Sequence, residues 1–164
     1  MKTAINEAEI WNLLADVPDP EVPAINVVEL GVVRAVELKE DAIIITITPT
    51  YTGCPAMKTI EEDIVSRLKK GGILNVTINT ILTPAWTTDW ITEQGKEKLR
   101  KYGIAPPLHS SEDKNLLLGK NKTINCPLCG SSDTIMQSQF GSTACKALYK
   151  CKSCLEPFDY FKCI

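Results

Sequence analysis

Thr48-Pro-Thr-Tyr-Thr-Gly-Cys54-Pro-Ala-Met57 joins a run of alternating β-branched residues to a run with helical spacing. Upstream, Val32-Val-Arg-Ala-Val-Glu-Leu38 and Ala42-Ile-Ile-Ile-Thr-Ile-Thr-Pro49 flank Lys39-Glu40-Asp41. Apolar and polar residues alternate on both sides, which predicts a hairpin of strands over about 32–38 and 42–49. Downstream, Pro55 suits the first turn of a helix whose apolar stripe is Met57, Ile60, Ile64 and Leu68, and Gly71-Gly72 stop it. Residues 73–82, ILNVTINTIL, alternate again and read as a third strand. A strand, a helical crossover and a strand imply parallel pairing with right-handed connection.

The flanks extend this plan. Asn6 and Glu9 have the spacing of a capping box, and Ile10, Trp11, Leu13, Leu14 and Val17 recur at helical intervals, so 6–17 read as an amphipathic helix ended by Pro18, Pro20 and Pro23. Residues 88–102 read as one further helix ending at Gly103, with Gly95 as its weak point. Composition then shifts, and 105–121, rich in proline, serine and charge, reads as a linker. It contains Leu116-Leu117-Leu118, an apolar triplet expected to pack on a domain, and His109, the sole histidine, expected in solvent. Trp11, Trp86 and Trp90 read as core or interface anchors.

Six of the seven cysteines lie in the tail. Cys126-Pro-Leu-Cys129 and Cys151-Lys-Ser-Cys154 are two knuckles separated by 21 residues. Two residues between cysteines let a tight turn aim both sulfurs at one ion, and two such turns complete a tetrahedron. A ribbon of about 40 residues buries too little apolar surface to fold unaided, so an ion would supply the missing free energy. One structural zinc is the first choice, with iron in the same ligand set as the competitor. Cys145 and Cys163 remain: either ordinary half-buried thiols, or a second thiol pair offering labile ligands to an iron–sulfur cluster.

Cys54 stands apart from these. With Pro55 as first helical residue it would be the N-cap, its sulfur facing unpaired amides and the positive end of the helix dipole, an environment that favours a thiolate. The competing reading is a small hydrophobe at a strand–helix junction. No histidine follows closely, so a protease-like Cys/His pair has no support.

The chain has 164 residues, 44% apolar and 23% charged, with a net charge of −2. No apolar run approaches the roughly 20 residues that span a bilayer, so no membrane segment is expected. Acidic residues occupy the N-terminal region where a signal peptide would be apolar, which places the chain in the cytoplasm, and seven cysteines there argue for metal or thiol chemistry. Residues 1–105 hold 11 Lys/Arg against 15 Asp/Glu and residues 122–164 hold 5 against 3, so there is no basic stripe for nucleic acid.

The expected architecture is α+β: a small three-stranded mixed sheet with packed helices over 1–104, the linker 105–121, and a cysteine-rich, zinc-ribbon-like β module over 122–164. Three segments of the first part carry a resemblance: Asp19-Pro-Glu21-Val-Pro, Val28-Glu-Leu-Gly-Val-Val, and Thr-Gly-Cys54-Pro before a helix. Together they resemble the metal–sulfur cluster biosynthesis family of small α+β proteins, which includes SufT-type factors and cytosolic iron–sulfur targeting proteins. The tail segments Phe140–Tyr149 and Glu156–Cys163, with Pro84–Trp90 and Tyr102–Pro107, resemble the PaaD family of phenylacetyl-CoA epoxidase accessory proteins.

The resemblance implies a non-catalytic role in maturing metal centres of a multicomponent epoxidase, which has a di-iron oxygenase and an iron–sulfur reductase component. Its partners would be those components and the iron–sulfur assembly machinery. Cys54 would correspond to the family's reactive cysteine, able to hold iron or a cluster transiently, and Asp19 and Glu21 to its acidic motif. Two other functions fit the residues: a stoichiometric docking subunit without metal transfer, and a thiol enzyme, for which no acid or base partner is recognisable.

Overall fold

The computed structural model describes residues 5–109 and 123–162. Leu116–Leu118 and Cys163 lie outside the described residues. The chain divides into two compact units, Met1–Trp86 and Thr87–Ile164.

The first unit opens with helix α1, Glu7–Leu14. Asn6 and Glu9 form the reciprocal capping box, each side chain accepting the other's backbone N–H, at 2.9 and 3.0 Å. The helix is shorter than its apolar repeat, because Asp16 and Val17 already make turn bonds to Leu13 and Leu14. Strands β1, Val33–Leu38, and β2, Ile43–Ile47, form the antiparallel hairpin, with an irregularity between Val33 and Ala35. Helix α2, Ala56–Lys70, then returns the chain to β3, Val76–Thr80, which pairs parallel with β2. The sheet order is β1-β2-β3, the expected mixed sheet.

Packing follows the periodicities. Ile60, Ile64 and Leu68 of α2, Ile10 and Leu14 of α1, and Ile45 and Ile47 of β2 are all buried. Residues 17–33 supply Val17, Val22, Ile25, Val27 and Leu30 to the core. This segment is held by side chains that cap backbone: Asn26 Oδ1 accepts from Val28 and Glu29, and Glu29 Oε2 accepts from Asn26, a second reciprocal box with the spacing of Asn6 and Glu9. Trp86 is buried, and its indole N–H donates to the Leu30 carbonyl at 2.9 Å, so it is a core anchor of this unit.

The second unit starts earlier than the expected boundary at 104/105. Residues 88–102 do not form one helix. A 3-10 turn, Thr88–Trp90, is followed by extended Ile91, and helix α3 covers Glu93–Lys101 with Thr92 as its N-cap, its hydroxyl accepting from Gly95. Two local caps, Thr87 on Asp89 and Thr92 on Gly95, outcompete one continuous helix. Strand β4, Ile104–Ala105, lies where the linker was expected to begin and pairs parallel with the last strand. The remaining strands are β5, Thr134–Ser138, β6, Lys146–Cys151, and β7, Pro157–Phe161. They complete a sheet of order β4-β7-β6-β5, antiparallel except at β4.

One core cluster of this unit is Ala105, Ile124, Ala147, Tyr149, Phe158 and Tyr160, together with Cys126 and Cys151, and Ile91, Leu99, Ile104 and Phe161 are buried in the unit as well. Tyr149 stacks on Phe158 and meets Tyr160 edge-on, both with centroids 5.8 Å apart. The Tyr160 hydroxyl accepts from the Leu108 amide at 3.1 Å.

Ile64, fully buried at the centre of α2, tests the first core. Ile64→Ala should lower unfolding free energy by about 3 kcal/mol, read as a shifted denaturant midpoint at unchanged slope.

Candidate metal centre and the Cys54 loop

Two knuckles of the second unit bring Cys126, Cys129, Cys151 and Cys154 together, with all four Sγ atoms within 4.8 Å of one another. Each knuckle is shaped by its backbone. In the first, the Gly130 amide bonds the Cys126 carbonyl and the Cys126 amide bonds the Ser131 carbonyl, both at 2.9 Å. In the second, the Cys154 amide points at Cys151 Sγ, 3.5 Å away, and the Cys151 amide bonds the Glu156 carbonyl. The hydroxyls of Ser131 and Ser153, 2.7 Å apart, link the two turns.

The residue after each second cysteine is in the left-handed region: Gly130 at φ 76° and Leu155 at φ 67°. Glycine adopts that conformation freely. Leucine does so at a cost of about 1–2 kcal/mol, and Leu155 is also 68% exposed.

Distances test the site for an ion. Zinc–sulfur bonds of about 2.3 Å in a tetrahedron put the sulfurs about 3.8 Å apart. Cys126 and Cys154 are separated by 3.8 Å and Cys129 and Cys151 by 3.6 Å, so the sulfur cage fits zinc. The electrostatics agree. The amide of Cys154 pulls the Cys151 thiol down to about 6. Cys154, although the Glu156 amide favours its thiolate, is pushed up to about 12 by burial and by its sulfur neighbours. Four sulfurs this close cannot all ionise without a cation, and a divalent ion removes that conflict.

Cys145 is buried, contacts the Thr143 hydroxyl at 3.1 Å, and lies outside this cluster. Among the described residues no two cysteines form a disulfide. His109 is exposed, 3.5 Å from Asp89, and is not among the gathered ligands.

In the first unit, Cys54 stands half-buried at the start of α2. The regular helix begins at Ala56, but Pro55 already has helical dihedrals, −67° and −22°, and the Cys54 carbonyl accepts from Met57. The N-cap is therefore Pro55 and not Cys54 as expected: Cys54 stands one residue earlier, and no side chain caps this helix start. Gly53, at φ 79°, turns the chain into the helix with open space where a side chain would stand.

Asp19 is buried, and its Oδ1 accepts from the amides of Glu21 and Val22 at 2.9 and 2.7 Å, so it caps its own turn; Glu21 is half-buried. Among the described residues, Cys54, Asp19 and Glu21 do not form a group of three or more metal-ligating side chains. Thr48 was not singled out by the sequence, yet it is buried and its hydroxyl has no hydrogen-bond partner among the described residues. A threonine in a β-branched run carries no local mark of such a state.

The fold and the sulfur cage define a class: a small α+β domain followed by a four-cysteine β-ribbon. A family described as "Iron-sulfur cluster assembly protein" matches residues 7–78, and one described as "PaaD zinc beta ribbon domain" matches residues 110–162. Along 156 residues the chain is 47% identical to a protein of Escherichia coli K12 described as a subunit of a "Putative 1,2-phenylacetyl-CoA epoxidase", covering 95% of this chain and 92% of that relative. It belongs to the PaaD family.

Over 57% of its length, and 90% of the relative's, it is 33% identical to an "Fe-S protein maturation auxiliary factor" of Porphyromonas gingivalis W83. Among solved structures, a domain of unknown function, DUF59, from Bacillus anthracis superposes with a TM-score of 0.54 at 28% identity, covering 57% of this chain and 90% of that one.

Purified protein should carry one zinc per chain. Chelation at neutral pH should abolish amide-exchange protection in β5–β7 and leave β1–β3 protected. Protons compete with the cation for the same sulfurs, and Cys151 is held at about 6 even without an ion. Zinc affinity should therefore fall as pH is lowered, read with a chromogenic chelator.

Proposed function

We propose that this protein is a cytoplasmic accessory factor of the phenylacetyl-CoA epoxidase system, assisting assembly of an iron–sulfur or di-iron centre through Cys54. The observation that carries this reading is the division of sulfur between the two units. Four sulfurs close around one position in the ribbon, while Cys54 stands half-buried at a helix start in the part matched to iron–sulfur assembly proteins.

A closed four-thiolate zinc site is saturated and redox-silent, which suits folding rather than transfer. Cys54 belongs to no such ligand group among the described residues. A single soft ligand holds iron only while a client or carrier completes the coordination shell, so the metal centre is cargo that passes on. The epoxidase components as partners are supported by the likeness to the Escherichia coli epoxidase relative, and the assembly machinery by the maturation-factor relative.

One observation favours a second reading, a stoichiometric docking subunit. Leu155 holds a strained backbone and an exposed apolar side chain on a knuckle, and Leu128 on the other knuckle is exposed as well. Neither feature helps the ribbon fold, and both suit contact with another protein.

The two readings part on one variant. Cys54→Ser should leave folding and zinc content unchanged, while epoxidase co-expressed with it shows iron content and activity reduced several-fold. Fully loaded, active epoxidase would remove the maturation role and leave the docking role. Separately, Leu155→Gly should stabilise the ribbon by about 1 kcal/mol, read from its denaturant midpoint.

A further inference from the structure

β3 is the terminal strand of its sheet, and its backbone has a definite outward face. Asn75 accepts from Ile43 and Ile81 donates to Ile47, so odd-numbered residues face β2. Even-numbered Val76, Ile78 and Thr80 therefore present their N–H and C=O groups to the open edge. Leu74 and Leu82, one step past each end of this row, share its parity and are 75% and 57% exposed. An open edge flanked by exposed leucines calls for a partner.

Beside it runs one flank of α2, which with Ile78 lines an open cleft. Glu61 and Glu62 stand at one end of the flank, Lys69 and Lys70 at the other, and Val65 and Ser66 between them. Among the described residues Lys69 and Lys70 make no ion pair, and Glu62 meets only exposed Lys58 at 4.0 Å.

We propose that this face binds a second copy of the chain about a two-fold axis, β3 pairing antiparallel with β3 of the copy. With Ile78 on the axis, Val76 faces Thr80 of the copy and Leu74 faces Leu82, so the exposed leucines become cross-strand pairs. All the outward backbone groups then fall in hydrogen-bonded pairs. On α2, the same axis passes between Val65 and Ser66, setting Glu61 against Lys70 of the copy and Glu62 against Lys69.

The strand axis and the helix axis are one. Thr80 donates to Glu61 at 3.0 Å, which fixes those two residues at one level. From there Ile78 is about 6.6 Å along the strand, at about 3.3 Å per residue. The point between Val65 and Ser66 is about 6.8 Å along the helix, at about 1.5 Å per residue. An isologous interface needs this self-complementarity, whereas a strand from another protein would leave the matched charges and leucines unexplained.

Sedimentation of the full zinc-bound chain tests it. The chain should dimerise reversibly. E62K sets a lysine opposite Lys69 of the copy and K69E sets a glutamate opposite Glu62, so each should weaken the dimer at least about tenfold, less so at high salt. An equimolar mixture of the two variants should recover much of the lost affinity, because both junctions of the mixed dimer again join opposite charges, one as in the native pair and one with the signs exchanged. Both positions are exposed on the helix surface, so folding is spared, and Leu74→Lys, at an exposed position, should weaken the dimer independently. A chain that stays monomeric, a dimer indifferent to the single variants, or a mixture no tighter than either variant would overturn the proposal. Protection of β3 amides seen only on adding an epoxidase component would overturn it in favour of a heterologous strand.

Discussion

Four cysteine sulfurs confined within 4.8 Å of one another can all be thiolates only if a cation sits among them, and the second unit is built around that requirement. The cluster around the ribbon strands is a handful of aromatic and small residues, and Ile91, Leu99, Ile104 and Phe161 are buried in the unit as well. Cys126 and Cys151 belong to the core and to the ligand set at once, so packing and coordination reinforce each other. The backbone shares the burden, with the Cys154 amide directed at the Cys151 sulfur and the two knuckles tied through Ser131 and Ser153.

The first unit answers its entropic demand by burial. Two helices and a three-stranded sheet bury a continuous set of isoleucine, leucine and valine, and the segment over 17–33 is locked by side-chain caps rather than by regular structure. Cys54 stands half-buried just before α2. The two kinds of sulfur thus differ by environment and number: the ribbon set is closed, and under the function proposed above the single thiol would take a ligand shell completed from elsewhere. A chain with both can keep one metal for its own fold while handling another for a partner.

Much of this was legible because it is local. The hairpin needs only alternation on both sides of Lys39-Glu40-Asp41, α2 needs its stripe and its glycine stop, and the cage needs the spacing of two knuckles. The stretch over 88–102 departs from its expected single helix for an equally local reason: Thr92 is a better cap than an interior residue, and only its bond to Gly95 reveals where α3 starts. β4 left no mark at all, since two residues in a polar, proline-rich context become a strand only when β7 is beside them.

Composition and spacing by themselves determined that this protein has an α+β part with a parallel crossover, a ribbon with two paired-cysteine knuckles, and a lone cysteine between strand and helix. Tertiary structure alone decided that Asp19 caps its own turn, that Leu155 sits in a left-handed conformation, that Ile104 and Ala105 join the ribbon sheet, and that β3 is the terminal strand of its sheet among the described residues. The physical reason is range: periodicity and ligand spacing act over a few residues, whereas strand order, burial and sheet edges depend on segments tens of residues apart meeting in space.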